Sequence, residues 1–267
     1  MGWNDLGILF IVAAVLCAIG FYKYVYFLSV GYGLAIAGLG IAILALFHGQ
    51  AAVVNVVQCL VFTAYGARLS GFLITREIRS GAYRKTLSST TAAGAGMAVY
   101  IKAAIWISVS MLYVMQVSPV FYRLYNGASD VVLPWIGIAV SLCALCIETL
   151  ADLQKSAQKA VNPDMVATKG LYRMVRCPNY FGEILFWTGV TLGGLTALSG
   201  WAQWVIALFA YAAIVAIMFN GAQRLEKRQM ARYGSLPAYR EYTEKTPILL
   251  PLVPLYHLNK DGQTKNA

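Results

Sequence analysis

The stretch VVLPWIGIAVSLCALCIETL, Val131 to Leu150, is twenty residues with one charged side chain, Glu148, two positions from its end. As a helix it reaches about 30 Å, the thickness of a bilayer's hydrocarbon core. It does not alternate polar and apolar residues as a membrane β-strand would. Six further runs have the same character: Leu6–Tyr22, Phe27–Phe47, Ala51–Ser70, Ala98–Val117, Phe181–Leu198 and Trp201–Asn220. The expectation is an all-α integral membrane protein with seven transmembrane helices, forming a single membrane domain over residues 1–267.

Composition agrees with the runs. Of 267 residues, 59% are hydrophobic and 12% charged, whereas soluble domains are about half apolar and about a quarter charged. That excludes a soluble globular enzyme, a disordered chain and a secreted disulfide scaffold. No basic residue precedes the first run and Lys23 follows it. It therefore reads as a retained helix with the N-terminus outside. With that orientation, 20 of the 21 lysines and arginines fall on the inner side and only Arg123 lies outside. The C-terminus is then cytosolic. The net charge of +10 reads as a basic face beside anionic lipid, and no nucleic acid is needed to explain it.

Several chemistries are excluded by what the chain lacks. His48 and His257 are its only histidines, too few for a multi-histidine zinc site and too far apart in sequence for a histidine-based triad. Cys143 and Cys146 form a C-x-x-C within an apolar run, with no second pair, so no metal is expected. Neither G-x-G-x-x-G after a strand nor G-x-x-x-x-G-K-[ST] occurs, which removes Rossmann and P-loop nucleotide sites. Gly31, Gly33, Gly38 and Gly40 read as close-packing points between helices.

The informative polar residues interrupt the apolar runs at one end. Glu148, Asp152, Lys155 and Lys159 share one face of a 3.6-residue helix. The segment GLYRMVRCPNYFGE, residues 170–183, then places Pro178 just before a span. Asn179 and Glu183 follow four apart, with Trp187 four further on. A carboxylate at that depth is better placed in a polar cavity than in lipid. Arg173 and Arg176 are spaced to share one anionic group, for which the planar guanidinium fork is suited. Tyr65 and Arg68 close the third run. Glu226 and its basic neighbours, then Tyr239 and Tyr242, follow the seventh. Together they sketch a cytosol-facing vestibule, acidic within and basic at its mouth, for an anionic molecule such as a dinucleotide or S-adenosylmethionine.

These residues resemble the steroid 5α-reductase family, including bacterial members of unassigned substrate. The resemblance runs from Glu148 to about Pro251. It rests on Glu148 with Asp152, Gln154 and Lys155, on Gly170-Leu-Tyr-Arg173, and on Pro178-Asn-Tyr-Phe-Gly-Glu183 with Trp187. Tyr239, Tyr242 and Pro251 extend it. It implies a seven-helix membrane enzyme that uses NADPH to reduce a carbon–carbon double bond conjugated to a ketone in a steroid-like or other lipid. It further implies that residues 148–251 form the cofactor-binding part. Asp152, Lys155, Lys159, Arg173, Arg176, Asn179, Tyr180 and Glu183 would hold NADPH, with Arg68, Tyr239 and Tyr242 beside them. Tyr65 would be the catalytic hydrogen-bond donor to the substrate carbonyl. The implied setting is a multi-pass protein of a bacterial inner membrane, its active site facing the cytosol, with no obligate protein partner. The family has His where this chain has Cys177. It also pairs its tyrosine with a Gln-Glu dipeptide that is absent here, leaving Tyr65 to act alone or with Gln50, Asn55 or Gln58. The competing resemblance is to isoprenylcysteine and phospholipid methyltransferases, whose Arg-x-Pro-x-Tyr string would hold S-adenosylmethionine instead. A transport bundle would show inverted repeats, and the sequence has none.

Overall fold

The computed structural model describes residues 3–94 and 96–259. Among them every regular element is helical. The helices are α1 (Trp3–Cys17), α2 (Val30–Leu46), α3 (Val53–Arg79), α4 (Gly81–Ala93), α5 (Val99–Tyr125), α6 (Val132–Val161), α7 (Pro178–Gly194), α8 (Gly200–Tyr233) and α9 (Pro237–Lys245). Short 3-10 turns follow α1, precede α2 and α7, and separate α7 from α8.

Five stretches are long and apolar enough to cross a membrane: Asn4–Phe21, Val53–Arg79, Val99–Tyr125, Val132–Val161 and Gly200–Tyr233. Each overlaps an expected span. The other two expected spans correspond to α2 and α7, which have 17 residues each. At 1.5 Å per residue, 17 residues fall several ångströms short of a 30 Å core. Multi-pass membrane character therefore stands on five helices. Pro at the first position starts both α7 and α9, where its missing N–H is not needed. The Ser80 hydroxyl caps α4 by accepting from Tyr83 N at 3.2 Å.

The chain divides into two compact units. The first comprises residues 1–138 and 190–210. Its centre is α2, and the glycines there explain how it is packed. A Cβ on Gly33 would lie 2.8 Å from Gly66 O in α3, and one on Gly40 would lie 2.6 Å from Cys59 O, also in α3. A Cβ on Gly38 would meet the Leu16 side chain at 2.1 Å, and one on Gly31 the Tyr26 carbonyl at 2.6 Å. Gly33 and Gly40 thus admit α3, while Gly31 and Gly38 admit α1 and the turns after it. The expected packing role holds, and each pair is seven residues apart, two helical turns on one face. Ser70 of α3 closes the crossing by donating to Val30 O at 2.9 Å.

Two polar clusters pin the ends of this unit. Lys23 and Tyr26 donate to the two carboxylate oxygens of Glu77 at 2.5 and 2.6 Å. The Glu77 carboxylate holds the Lys23 ammonium above its usual range. Arg123 is 2% exposed. Its Nη1 donates to Asp130 Oδ1 at 3.1 Å, to Gly193 O at 3.3 Å and to Thr196 Oγ1 at 3.3 Å. Its Nε reaches Asn55 Oδ1 at 3.4 Å. The single arginine expected on the outer side is thus a buried, paired tie.

The second unit comprises residues 139–189 and 211–267. Its apolar core joins Cys177, Ile184 and Ala222 to Ile248 and Leu249 of the C-terminal segment. A smaller cluster of Val166, Tyr233 and Tyr239 lies beside α9.

Candidate functional site

Most residues singled out in the sequence fall in the second unit. Two glutamines of α6 shape the loop that carries them. Gln158 Oε1 accepts from Thr168 N and Lys169 N at 2.8 and 2.9 Å, and Gln154 Oε1 accepts from Leu171 N at 2.8 Å. Gly170 is required at this point. Its φ is +68°, and a Cβ there would lie 2.3 Å from the Gln154 amide oxygen. The turn it begins, Gly170–Arg173, sets Tyr172 inward and leaves Arg173 exposed.

Tyr172 is the middle of a hydrogen-bonded chain across four elements. Tyr242 of α9 donates its hydroxyl to Tyr172 O at 2.6 Å. The Tyr172 hydroxyl donates to Asn179 Oδ1 at 3.1 Å and lies 3.2 Å from Ala151 O. Asn179 of α7 donates from Nδ2 to Asp152 Oδ1 of α6 at 2.5 Å. Asp152, Asn179 and Tyr242, the outermost ninety residues apart in sequence, are therefore one polar assembly. One turn further into α7, Glu183 is buried and accepts from Trp187 Nε1 at 2.9 Å. Gly182 beside it lets α6 come close, since a Cβ there would lie 2.6 Å from Glu148 Cγ. Glu148 itself is 3% exposed.

The remaining expected residues take different places. Lys159 donates to the Tyr233 hydroxyl at 2.9 Å and to Pro163 O at 3.0 Å. Lys155 is half-buried, and the half-buried Tyr180 ring packs on Gly221 of α8. Arg173 and Arg176 do not act as a matched pair, because Arg173 is exposed while Arg176 is 4% exposed. Arg176 Nη2 donates to Glu226 Oε1 of α8 at 2.9 Å and to Tyr256 O. Its Nε and Nη1 face the buried Tyr239 hydroxyl, with which the guanidinium interacts. Burial pushes the Tyr239 phenol up to about 12 and raises that of Tyr242. It likewise pushes the Cys177 thiol up to about 12, so at the position where the resembling family has His this chain carries an uncharged side chain.

Tyr65 and Arg68 belong to the first unit. Tyr65 is fully buried in α3, its ring centroid 6.1 Å from that of Tyr32, which lies 4.8 Å from Tyr113. Arg68 is half-buried one turn on. Among the described residues no three His, Cys, Asp or Glu side chains gather as a metal set.

Glu226 is the residue the sequence understated. Besides Arg176, it accepts from Leu258 N at 2.9 Å, Asn259 N at 3.1 Å and Asn259 Nδ2 at 2.8 Å, and it lies 3.0 Å from His257 Nδ1. A signal was present. Ile214, Ala222 and Glu226 keep the four- and eight-residue spacing of a buried helix face, so the acid occupies a core position.

The model of a family described as "Protein of unknown function (DUF1295)" matches residues 14–246. The chain belongs to this family. The family is distantly related to steroid 5α-reductase-like proteins, and its match takes in both Tyr65 and the assembly around Asn179. No curated protein and no solved structure matches the chain.

Proposed function

We propose that the protein is a membrane-embedded, NADPH-dependent reductase of a carbon–carbon double bond conjugated to a ketone in a lipid. In this reading it has seven spans, the N-terminus outside, and the cofactor-binding residues on the cytosolic side of a bacterial inner membrane. The observation that carries it is the Tyr242–Tyr172–Asn179–Asp152 chain. It joins four of the residues on which the resemblance rests, from four separate stretches of sequence.

The residue types fit an anionic cofactor. Arg176 is a buried guanidinium held by Glu226 and Tyr239, and a phosphate oxygen is an acceptor well matched to an arginine. Exposed Arg173 and half-buried Lys155 add positive charge that a dinucleotide's phosphates require. Asp152 and Tyr172 fix the Asn179 amide in one orientation, the first accepting from Nδ2 and the second donating to Oδ1. Bound NADPH would supply the hydride.

The protein's own contribution is positional and electrostatic. The Tyr65 phenol would donate to the substrate carbonyl, drawing electrons from the double bond and making the β-carbon electrophilic. Once hydride has reached that carbon, the same phenol would hold the enolate oxygen while a proton joins the α-carbon. Tyr65 is fully buried beside the Tyr32 ring, and exclusion of water strengthens a hydrogen bond there.

The test is turnover in detergent micelles. Purified protein is given NADPH and a panel of enone lipids, and products are read by mass spectrometry for a gain of two hydrogens. The expected result is such a product, lost in Tyr65→Phe. Transfer of a methyl group from S-adenosylmethionine to a lipid, with no reduction, would overturn the reading.

A further inference from the structure

The residues after α9 return along the second unit as a strap. Arg176 N donates to Pro247 O at 2.9 Å and Cys177 N to Ile248 O at 3.0 Å. The strap then turns and comes back, with Ile248 N donating to Leu255 O at 2.8 Å. Its tip carries Leu252, fully exposed at a φ of +66°, a left-handed conformation that a leucine adopts only at a cost. Its far end, Tyr256 to Asn259, gathers on Glu226. One carboxylate, 2% exposed, there receives Arg176 Nη2, two strap amides, the Asn259 side chain and the His257 ring.

This arrangement covers Arg176. The strap carbonyl of Tyr256 takes up Nη2 alongside Glu226. Beneath Pro251 lies an apolar cavity of about 50 Å³, lined also by Leu171, Met174 and Phe181. That cavity is far smaller than ordinary ligand pockets of about 300–1,000 Å³ and does not include Arg176, which is itself 4% exposed, so a dinucleotide cannot reach Arg176 while the strap lies as it does.

We propose that Glu226 is a positioning residue that holds Arg176 and the strap Pro247–Asn259 together in a closed state, and that the strap must leave Glu226 before an anionic ligand reaches Arg176. This rests on the cofactor reading of Arg176 given above. Ile248 and Leu249 anchor the start of the strap in the apolar core, so the part that opens is the stretch from Pro251 to Asn259. That stretch carries the exposed, positive-φ tip at Leu252 and is tied at its end by Glu226, by Gln223 and by the packing of Leu258. A strained, exposed tip is where local opening begins at low cost.

The experiment reads Arg176 directly and needs no cofactor. Intact protein in detergent is treated with phenylglyoxal, and labelling of each arginine is followed by mass spectrometry, with exposed Arg173 and Arg224 as internal references. Two variants loosen the strap by different routes. Glu226→Gln weakens every contact at once, and Asn259→Pro removes the Asn259 N–H and side-chain donors while leaving Arg176 and Glu226 in place. Both should raise the labelling rate of Arg176 relative to Arg173 by about tenfold, the worth of one lost hydrogen bond to a charged group. An unchanged Arg176 rate in Asn259→Pro would overturn the proposal, whatever Glu226→Gln does, since the strap would then not be the cover. A repeat with added NADPH separates the two readings. Protection of Arg176 in the loosened variants supports both, whereas faster labelling without protection keeps the lid and removes NADPH as its ligand.

Discussion

Arg176 and Glu226 form an ion pair at 2.9 Å in which each side chain is 2% exposed. Such a pair adds little net stability over well-packed apolar residues, but breaking it leaves one charge buried alone. Glu226→Ala should therefore destabilise the protein by about 3–5 kcal/mol, read from chemical unfolding in detergent. Glu226→Gln, which keeps the side chain's volume and one acceptor oxygen, should cost less. Equal costs would mean that the charge alone holds this site.

Asp130 gives a pH-dependent term. Burial alone would raise its carboxyl, but the Thr196 hydroxyl and the Arg123 guanidinium donate to it and hold it below its ordinary value of 3.8. A depressed folded pKa means that the unfolded chain binds the proton more readily. The stabilisation is thus present above 3.8 and is lost as pH falls through the folded value. Thermal midpoints of the parent and of Asp130→Asn, compared around pH 6 and around pH 3, should differ in the first case and converge in the second. A gap that does not narrow on acidification would contradict this role.

The α2–α3 crossing predicts a contrast between two glycines of α3. A Cβ on Gly66 would lie 2.1 Å from Gly33 O, a backbone atom that cannot step aside, whereas a Cβ on Gly71 meets nothing within 4 Å. Gly66→Ala should push the helices apart and cost roughly 1–3 kcal/mol or more. Gly71→Ala should be neutral or add up to about 1 kcal/mol through helix propensity. Similar unfolding midpoints for the two variants would refute the close crossing.

How much of this was legible in the sequence differs from one feature to the next. The helical class followed from runs such as Val131–Leu150, because a bilayer leaves few alternatives to a helix for twenty apolar residues. Gly31, Gly33, Gly38 and Gly40 read as close-packing points, but which pair admits which neighbour came only with the fold. Span length was harder. α2 and α7 keep only 17 residues each, since composition does not fix where a 3-10 turn replaces α-helix, before α2 and after α7. The union of Asp152 with Asn179 followed from the motif, but their link through Tyr172 to Tyr242 depends on how the Gly170 turn folds onto Gln154. Arg173 and Arg176, alike in sequence, were separated by burial. Glu226 looked like surface charge because its partners lie far off in sequence, Arg176 fifty residues before it and His257 to Asn259 some thirty after it, two of them as backbone amides.

Cys177 offers a chemical check on the packing beneath the strap. It is 6% exposed, and burial raises its thiol to about 12. Little thiolate exists near neutral pH, so the folded protein should leave Cys177 unmodified by N-ethylmaleimide at pH values around 7–8 and label it only on unfolding. Prompt labelling of the folded protein would mean that this core is open.

The central claim is tested most directly by equilibrium binding of radiolabelled NADPH, NADH and S-adenosylmethionine to the detergent-purified protein, alongside Arg173→Ala and Asn179→Ala. The account predicts selective binding of NADPH, weakened in both variants by about tenfold or more, as expected for the loss of a hydrogen bond to a charged group. Binding of S-adenosylmethionine in place of NADPH, or NADPH binding indifferent to both substitutions, would contradict it.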